Sequence, residues 1–556
     1  MFWESWCCNN NGFKNSRPFI RLSSPKTQAL VKLVPPVVSK HLSSPNYISL
    51  VGHMDSNNPI LYTFSLITDF LIGPKIWSLS SWELESMWAA PLSQTLCIFP
   101  THHHTFPFSP KTRTRLSIPP KLSRNSLLAL SFKAPVTMGT SQSQPSLDQI
   151  LGSNNWEGLL QPLNLSLREL IIRCGDFCQV TYDSFINDQN SRYCGACRYG
   201  MKFLLEKVML IGASDYEVSA YLYATARVSV PEAFILHSMS RESWDRESNW
   251  IGYIAVTTDE VSRARGRREI YVAWRGTTRD YEWVDVLGAE LESAEELLRP
   301  QEGIKNEEGS SSSDSDDEDD EKNVKVMRGW FTIYTSGDPR SPFTKASARK
   351  QFQSNIKRLM NKYKDEKVSI IVTGHSLGAS LAVLSSFDIV ENEIVPPDVI
   401  VSAIVFGCPE IGNRAFNNQI KQHSNLHILH VRNTIDLIPH YPSMILGYVK
   451  TGTELVIDTR KSPDLKDSKD PGDWHNLQAM VHVVSGWNGP NAEFELKVKR
   501  SLALVNKSCN FLKDECLVPA SWWVEKNKGM MRKADGEWVT ESPAEEDRPV
   551  PPVLDF

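Results

Sequence analysis

Residues 368–380 read Val368-Ser-Ile-Ile-Val-Thr-Gly-His-Ser-Leu-Gly-Ala-Ser380, and this stretch decides the fold. The apolar run Ile370-Ile371-Val372 predicts a buried parallel strand, and residues 377–390 predict the helix that follows it. Between them lies the pattern G-x-S-x-G, whose two glycines leave room where strand and helix approach closely. The pattern nominates Ser376 as a nucleophile at a strained, exposed corner. Taken alone, a five-residue pattern also allows a chance glycine turn.

Composition points to one large domain with extensions. The chain has 556 residues, of which 41% are apolar and 22% charged, so it can bury a large core. The formal net charge is -5, from 60 basic and 65 acidic residues, and nothing in it suggests a nucleic-acid partner. Ten cysteines are too few and too scattered for a disulfide framework, which indicates a reducing compartment.

Two short patterns raise the question of a metal, and we expect neither a metal nor a cofactor. Cys194-Gly-Ala-Cys197 is a lone CxxC without a second pair at metal spacing, so structural thiols are the preferred interpretation. His102-His103-His104 could bind a metal, but a polar patch in a disordered segment is the simpler interpretation.

Residues 1–137 differ from the rest of the chain. Ser, Pro, Lys and Arg are common there, and the acidic residues are Glu4, Asp55, Asp69, Glu83 and Glu85. We predict a disordered leader or a non-native N-terminal extension, with Met138 as an alternative start. The most apolar part, residues 60–72, is short and contains Asp69, so no transmembrane segment is expected.

Residues 138–540 are predicted to form an α/β domain, followed by a disordered tail at 541–556. Strands at 399–406 and 426–431 alternate with a helix at 413–422, which indicates a mostly parallel central sheet with helices on both faces. Earlier in the chain, strands at 251–256 and 269–274 flank the basic run at 263–268. This arrangement predicts a hairpin with a solvated cationic loop. A further helix is predicted at 495–505.

The segment at about 302–325 contains the acidic run Glu307–Glu321, which has no apolar residue and is predicted to be disordered. Such a run would repel anionic membrane surfaces within a Debye length of about 8 Å. It is either a tunable gate or a tolerated surface insertion.

A serine hydroxyl needs a base that removes its proton and a carboxylate that orients the base. Asp436 follows the second predicted strand after Ser376, where the acid of an α/β-hydrolase belongs. Asp388 lies inside the preceding helix and Asp398 precedes a strand, so neither projects from the required loop. A turn-capping role for Asp436 is the alternative.

Three histidines follow Asp436, and His475 is the predicted base because it comes in the loop after the next strand. His440 shares the loop of Asp436, and His482 is interpreted as a core or supporting residue. His375, inside the serine motif, is given no role.

Two backbone donors are predicted to face the developing oxyanion. One is the N–H of Leu377 at the start of the helix. The other is expected from Thr277 in Arg275-Gly276-Thr277, which follows an early strand. Alternatively, this tripeptide only turns the chain.

Five motifs together resemble the class 3 lipases: Trp274-Arg-Gly-Thr277, Val326-Met-Arg-Gly-Trp330, Gly374-His-Ser-Leu-Gly378, Phe406-Gly-Cys-Pro409 and Asn433-Thr-Ile-Asp436. Three others resemble the plant class II phospholipases A1: Gly152-Ser-Asn-Asn-Trp156, Trp474-His-Asn-Leu477 and Val505-Asn-Lys-Ser508. The resemblance spans about residues 146–540. It implies the α/β-hydrolase fold, with Ser376, Asp436 and His475 as the triad, Thr277 and Leu377 at the oxyanion hole, and the acidic run in the lid region.

The resemblance further implies a phospholipase A1 that cleaves the sn-1 acyl ester of glycerolipids at a membrane or lipid surface without a metal. A galactolipase, a triacylglycerol lipase and an esterase of soluble substrates are alternatives, because the triad alone does not select the substrate. A lipase-like signalling scaffold without turnover is an alternative of another class. The expected location is the cytoplasm, or the chloroplast if the leader is a genuine transit segment.

Overall fold

The computed structural model describes residues 144–227, 234–277, 289–299, 323–523 and 530–554. The predicted leader, the triple histidine and nearly all of the acidic insert lie outside the described residues.

Helices and strands alternate through most of the described chain. The helices are α1 (Leu147–Ile150), α2 (Leu165–Ser184), α3 (Leu204–Lys207), α4 (Asp259–Arg265), α5 (Arg328–Thr335), α6 (Ala348–Lys362), α7 (Leu377–Glu391), α8 (Arg414–Ile420), α9 (Pro471–Trp474) and α10 (Leu477–Gly486). The strands are β1 (Tyr216–Ala224), β2 (Asn249–Thr257), β3 (Arg268–Trp274), β4 (Leu291–Ser293), β5 (Lys325–Met327), β6 (Val368–His375), β7 (Ile400–Phe406), β8 (Leu426–Asn433), β9 (Thr453–Ile457), β10 (Met530–Arg532) and β11 (Trp538–Thr540).

Within the described residues, the central sheet has seven strands in the order β1-β2-β3-β6-β7-β8-β9. The pairs β1–β2 and β2–β3 are antiparallel, and every pair from β3 to β9 is parallel. This confirms the mostly parallel α/β-hydrolase sheet. The carboxyl ends of β3, β6, β7, β8 and β9 therefore meet at one edge, which we call the carboxyl edge. The opposite edge is called the amino edge.

Strand β6 carries apolar side chains to both faces of the sheet, as a buried parallel strand must. Ile370 and Val372 belong to the core beneath α5, α6 and α7, whereas Ile371 belongs to the core beneath α2 and α10. The two layers of helices hold the sheet between them, so the loops at the carboxyl edge stand on a rigid support.

Two helices show how the sequence forms these elements. The side chain of Asn164 caps α2 by accepting from the backbone N–H groups of Ser166 and Leu167. Helix α6 buries the predicted apolar face, which contains Phe352, Ile356 and Leu359.

The predicted hairpin of β2 and β3 is confirmed by their antiparallel pairing, but the basic run between them is not a solvated loop. Residues 259–265 form α4, which Thr258 caps. The side chains of Arg267 and Arg268 are buried because carboxylates neutralise them: Arg267 pairs with Asp148, and Arg268 pairs with Asp259 of α4 and with Glu366.

The C-terminal predictions also need correction. In place of a helix at 495–505, the chain forms a 3-10 turn at Leu502–Asn506. The N–H of Lys497 donates to the carbonyl of Ser485 at the end of α10, which holds the segment before this turn against α10. The segment 541–554 is not a disordered tail, since the buried carboxylate of Asp547 accepts from the Gly200 N–H at 2.8 Å and from Lys207 Nζ at 2.6 Å.

Candidate active site

The nucleophile turn joins β6 to α7 and is strained at Ser376, whose φ is 59° and ψ is -129°. A non-glycine residue with positive φ is costly and needs support from its surroundings. Support comes from close packing: a Cβ added at Gly374 would lie 2.0 Å from the carbonyl oxygen of Gly378. The Ser376 N–H also donates to the carbonyl of Phe406 at 3.1 Å. The close approach of strand and helix is as predicted.

The corner is strained but not exposed, because Ser376 is 2% accessible to solvent. Two loops close over the turn, and both contact the backbone or ring of His375. A Cβ at Gly276 would lie 2.5 Å from the His375 carbonyl oxygen, and His375 Nε2 lies 2.8 Å from the His475 carbonyl oxygen. Within the described residues Ser376 Oγ has no hydrogen-bond partner. A substrate must therefore reach a buried hydroxyl.

Asp436 and His475 form a pair beside this turn. His475 Nδ1 lies 2.6 Å from Asp436 Oδ2, and the other carboxylate oxygen accepts from the Ile438 N–H at 3.0 Å. Since a carboxylate only accepts, His475 Nδ1 carries the proton, and in the neutral ring Nε2 is left with a basic lone pair. Asp436 is buried, as an orienting carboxylate should be.

The backbone around His475 is fixed by the strand that precedes Asp436. Asn433, the last residue of β8, donates from its side chain to the carbonyl of Trp474 at 2.8 Å. The same amide group donates to Thr459 Oγ1 at 2.9 Å. The loop between β8 and β9, which carries Asp436, is called the acid loop. Asn433 thus joins the acid loop to the loop that carries His475. Sequence reasoning did not assign it a role, although it stands inside the Asn433-Thr-Ile-Asp436 motif.

The rejected candidates lie elsewhere. His482 is buried in α10, where its Nε2 lies 2.8 Å from Ser462 Oγ, and burial lowers its pKa to about 4. His440, four residues after Asp436 in the same loop, is exposed. Asp388 is buried with Arg349 at 2.8 Å and with the Tyr334 hydroxyl at 2.8 Å.

His375 has a structural role that the sequence analysis did not give it. Its ring centroid lies 4.4 Å from that of His475, with 36° between the planes. Because a carbonyl only accepts, His375 Nε2 donates to His475 and Nδ1 accepts from the Tyr182 hydroxyl at 2.7 Å. Burial lowers the pKa of His375 well below its usual range, so the ring stays neutral against its neighbour.

The loop after β3 reaches the nucleophile turn and is held by Arg275. This buried guanidinium donates to the carbonyls of Trp250 and Gly276, both at 3.0 Å, and of Phe234 at 3.2 Å. It also stacks 3.8 Å from the ring centroid of Phe185. Burial lowers its pKa to about 10, which leaves it cationic at neutral pH. The arginine therefore fixes the chain just before half-buried Thr277.

A Cβ at Gly378, near the start of α7, would lie 2.3 Å from the Trp274 carbonyl oxygen. The loop that carries Thr277 is thus packed on the helix that begins with Leu377. The two predicted oxyanion residues therefore belong to segments in direct contact.

Gly407, just after β7, makes room for the base. A Cβ there would lie 2.7 Å from His475 Cε1 and 3.2 Å from Asp436 Oδ2. Any side chain would displace the histidine, which gives a physical reason for the glycine in Phe406-Gly-Cys-Pro409.

In the segments that the structure describes, no cluster of three or more His, Cys, Asp or Glu could hold a metal ion. Cys194 and Cys197, the two cysteines of the CxxC pattern, are both buried. No helix within those same segments is long and apolar enough to cross a membrane.

Comparison with known proteins places the chain in a family. The family Lipase (class 3) matches residues 271–446, the span from β3 to the acid loop. Phospholipase A1-IIdelta of Arabidopsis thaliana is 63% identical over 407 residues, which cover 73% of this chain and 98% of that relative. Phospholipase A1-II 5 of Oryza sativa subsp. indica is 52% identical over 410 residues, covering 73% and 85%.

Among solved structures, the lipase from Rhizopus microsporus var. chinensis aligns with a TM-score of 0.34 at 17% identity, over 53% of this chain and 76% of that one. The relative of 63% identity is matched over nearly its full length. The chain therefore belongs to the class 3 lipase family and is a serine-dependent acyl hydrolase with the α/β-hydrolase fold.

Proposed function

We propose that the protein is a phospholipase A1 that releases the sn-1 fatty acid of membrane phospholipids through an acyl-enzyme. The observation that carries the proposal is the Asp436–His475 pair, with its 2.6 Å contact, beside the strained turn of Ser376. The names of the plant relatives support the phospholipid substrate and the regiochemistry.

In this proposal, Ser376 Oγ attacks the ester carbonyl while His475 Nε2 takes the hydroxyl proton. Asp436 stabilises the resulting imidazolium through Nδ1–H. The backbone N–H of Leu377 and donors of Thr277 stabilise the oxyanion. Collapse of the tetrahedral intermediate breaks the bond to the glycerol oxygen, which leaves with the proton from His475.

The second half of the reaction restores the enzyme. Water gives a proton to His475 Nε2 and attacks the acyl carbon. The bond to Ser376 Oγ then breaks, and the serine recovers its proton from the histidine. The products are a fatty acid and a 2-acyl lysophospholipid, and no step requires an external oxidant or reductant.

Positional analysis tests this proposal. Phosphatidylcholine with palmitate at sn-1 and oleate at sn-2 is offered as substrate, and the products are separated by mass spectrometry. Release of palmitate with 2-oleoyl lysophosphatidylcholine is expected. Release of oleate would contradict the regiochemistry. Hydrolysis of galactolipid or triacylglycerol with phosphatidylcholine untouched would contradict the substrate class, and failure to turn over any ester would favour the scaffold.

The proposed location is the cytoplasm, with access to membrane surfaces. The free thiols of Cys174, Cys178, Cys197, Cys408, Cys509 and Cys516 suit a reducing compartment. Imaging of fluorescent fusions with and without residues 1–137 tests this. Import of the full chain into chloroplasts would contradict it and favour a transit leader.

A further inference from the structure

Four apolar side chains project from the loop that begins directly after Asp436. We call Leu437, Met444, Ile445 and Leu446 the acid-loop patch; they are 60%, 72%, 87% and 51% exposed. Three of them are consecutive and form a 3-10 turn. Single exposed apolar residues are common on protein surfaces. A run of three with a fourth on the same loop instead indicates a surface that binds a partner.

The patch is presented by a loop that is fixed at both ends. Ile438 and Tyr448 are buried in the core on either side of it. The Glu410 N–H donates to the Tyr441 carbonyl at 2.8 Å, and the Val449 N–H donates to the Gly412 carbonyl at 3.0 Å. The apolar side chains are therefore held outward on an anchored loop.

The position and charge of the patch indicate a lipid surface. The loop leaves the sheet at the carboxyl edge, where Ser376, Asp436 and His475 lie. Residues 437–449 contain no Asp, Glu, Lys or Arg. An uncharged apolar protrusion beside an ester-hydrolysing site fits a zwitterionic bilayer, which an insertion of side chains can bind without ion pairing.

We propose that the acid-loop patch inserts into the surface of a zwitterionic phospholipid bilayer and seats the active site over its substrate. This inference rests on the proposed function and adds the element of this chain that contacts the lipid. The four side chains of the acid-loop patch contact the bilayer at the boundary of its acyl chains, and this contact is apolar.

The amino edge provides a matched control. Met209 and Ile211 are 62% and 75% exposed, similar to the patch, and they precede β1 at the opposite edge. Charged residues stand close by in the chain, at Lys207 and Asp215. If exposure alone caused lipid binding, these two residues would contribute as much as Met444 and Ile445.

The experiment measures partition of full-length protein to sucrose-loaded vesicles of palmitoyl-oleoyl phosphatidylcholine. All proteins carry Ser376→Ala, so binding is read without turnover. We expect Met444→Ser with Ile445→Ser to reduce the partition coefficient roughly tenfold or more, since each inserted side chain loses its transfer from water. Met209→Ser with Ile211→Ser is expected to change it by less than about twofold. Thermal melting checks that both variants remain folded.

Three outcomes would overturn the inference. They are equal partition of both double variants, binding confined to anionic vesicles, and a solution dimer, detected by light scattering, that the Met444 and Ile445 substitutions dissociate. The last result would assign the patch to a second copy of the chain. Failure of the proposed function would appear separately, as absence of lysophospholipid in the positional assay of the unsubstituted enzyme.

Discussion

Two buried arginines, one at the amino edge and one at the carboxyl edge of the central sheet, have different partners. At the amino edge, Arg268 pairs with Asp259 at 2.7 Å and Glu366 at 2.9 Å, so charge is matched by charge. At the carboxyl edge, Arg275 is fully buried and donates to three backbone carbonyls. The first arrangement joins segments that stabilise the fold. The second fixes the backbone of loops, and one of those loops carries Thr277.

The difference shows that the backbone of the loops at the carboxyl edge must be positioned precisely. The carboxylate partners of Arg268 are side chains, whereas the guanidinium of Arg275, which donates to three carbonyls, holds the backbone itself in place. The carboxyl edge also contains the neutral ring of His375 and the side chain of Asn433, which fix His475 through its own carbonyl and that of Trp474. We therefore expect substitutions at the carboxyl edge to alter turnover, and those at the amino edge to alter stability.

The largest effect is expected from the reacting groups. Ser376→Ala or His475→Ala should lower kcat by roughly four orders of magnitude or more, because neither group acts without the other. Thermal melting should show both variants folded. His482→Ala is the control: it should lower the melting temperature and leave kcat within about threefold. A variant of His482 as inactive as that of His475 would reassign the base.

The next effect separates the two edges. Arg275→Met should lower kcat by about a hundredfold, the scale of losing one oxyanion donor, because the Gly276 carbonyl is released. It should also lower stability. Arg268→Met removes two ion pairs and should lower stability while leaving kcat, measured well below the melting temperature, within about twofold. Equal losses of kcat in the two variants would contradict the expectation that the carboxyl edge determines turnover and the amino edge stability.

The dependence of stability on pH gives a further test, at His482 in α10. His482 has a pKa of about 4 when folded against 6.5 when unfolded. Between these values the unfolded chain binds a proton that the folded chain does not. The free energy of unfolding therefore falls as pH drops from about 6.5 to about 4, by roughly 3 kcal/mol from this one group.

Urea unfolding of wild type and His482→Gln at pH 7 and pH 4 measures this contribution, because the glutamine cannot titrate. Burial raises the pKa of Glu410 to about 7 and so acts in the opposite sense, but it is present in both proteins and cancels in the comparison. At the amino edge, Arg268 lowers the pKa of Asp259, so its contribution is lost only at pH below about 4. If the free energy of unfolding of the wild type and of His482→Gln changed equally between pH 7 and pH 4, the lowered pKa of His482 would be contradicted.

A smaller effect is expected from His375. His375→Phe keeps a ring beside His475 but loses the donor to its carbonyl, and kcat should fall about tenfold with KM within twofold. His375→Gln can donate the same hydrogen bond and should recover part of the loss. Tyr182→Phe, which removes the hydroxyl that donates to His375, should lower kcat by the smaller amount expected of His375→Gln. A change in KM with kcat unchanged would place His375 in substrate binding.

The sequence predicts much of this site because chain order in a parallel sheet fixes which loops meet. Ser376, Asp436 and His475 each follow a strand, and the carboxyl ends of parallel strands share an edge. Gly374 and Gly378 were likewise predictable, since only a close approach of backbones explains both.

What could not be predicted depends on contacts between distant segments. The basic run at 263–268 looks solvated in the sequence, because its partners Asp148 and Glu366 lie far away in the chain. His375 was given no role because local geometry does not show that the loop of His475 folds against it. The C-terminal segment looks polar and unstructured in the sequence, and contacts with the distant Lys207 and Gly200 explain why Asp547 is buried.

The most direct test of the central claim is active-site labelling with a fluorophosphonate, followed by peptide mass spectrometry of the full-length protein. We expect a single adduct on Ser376, formed rapidly by the wild type and by His482→Gln, slowly by His475→Ala, and not at all by Ser376→Ala. An adduct on another residue, or labelling of His475→Ala at the wild-type rate, would contradict the proposed catalytic triad.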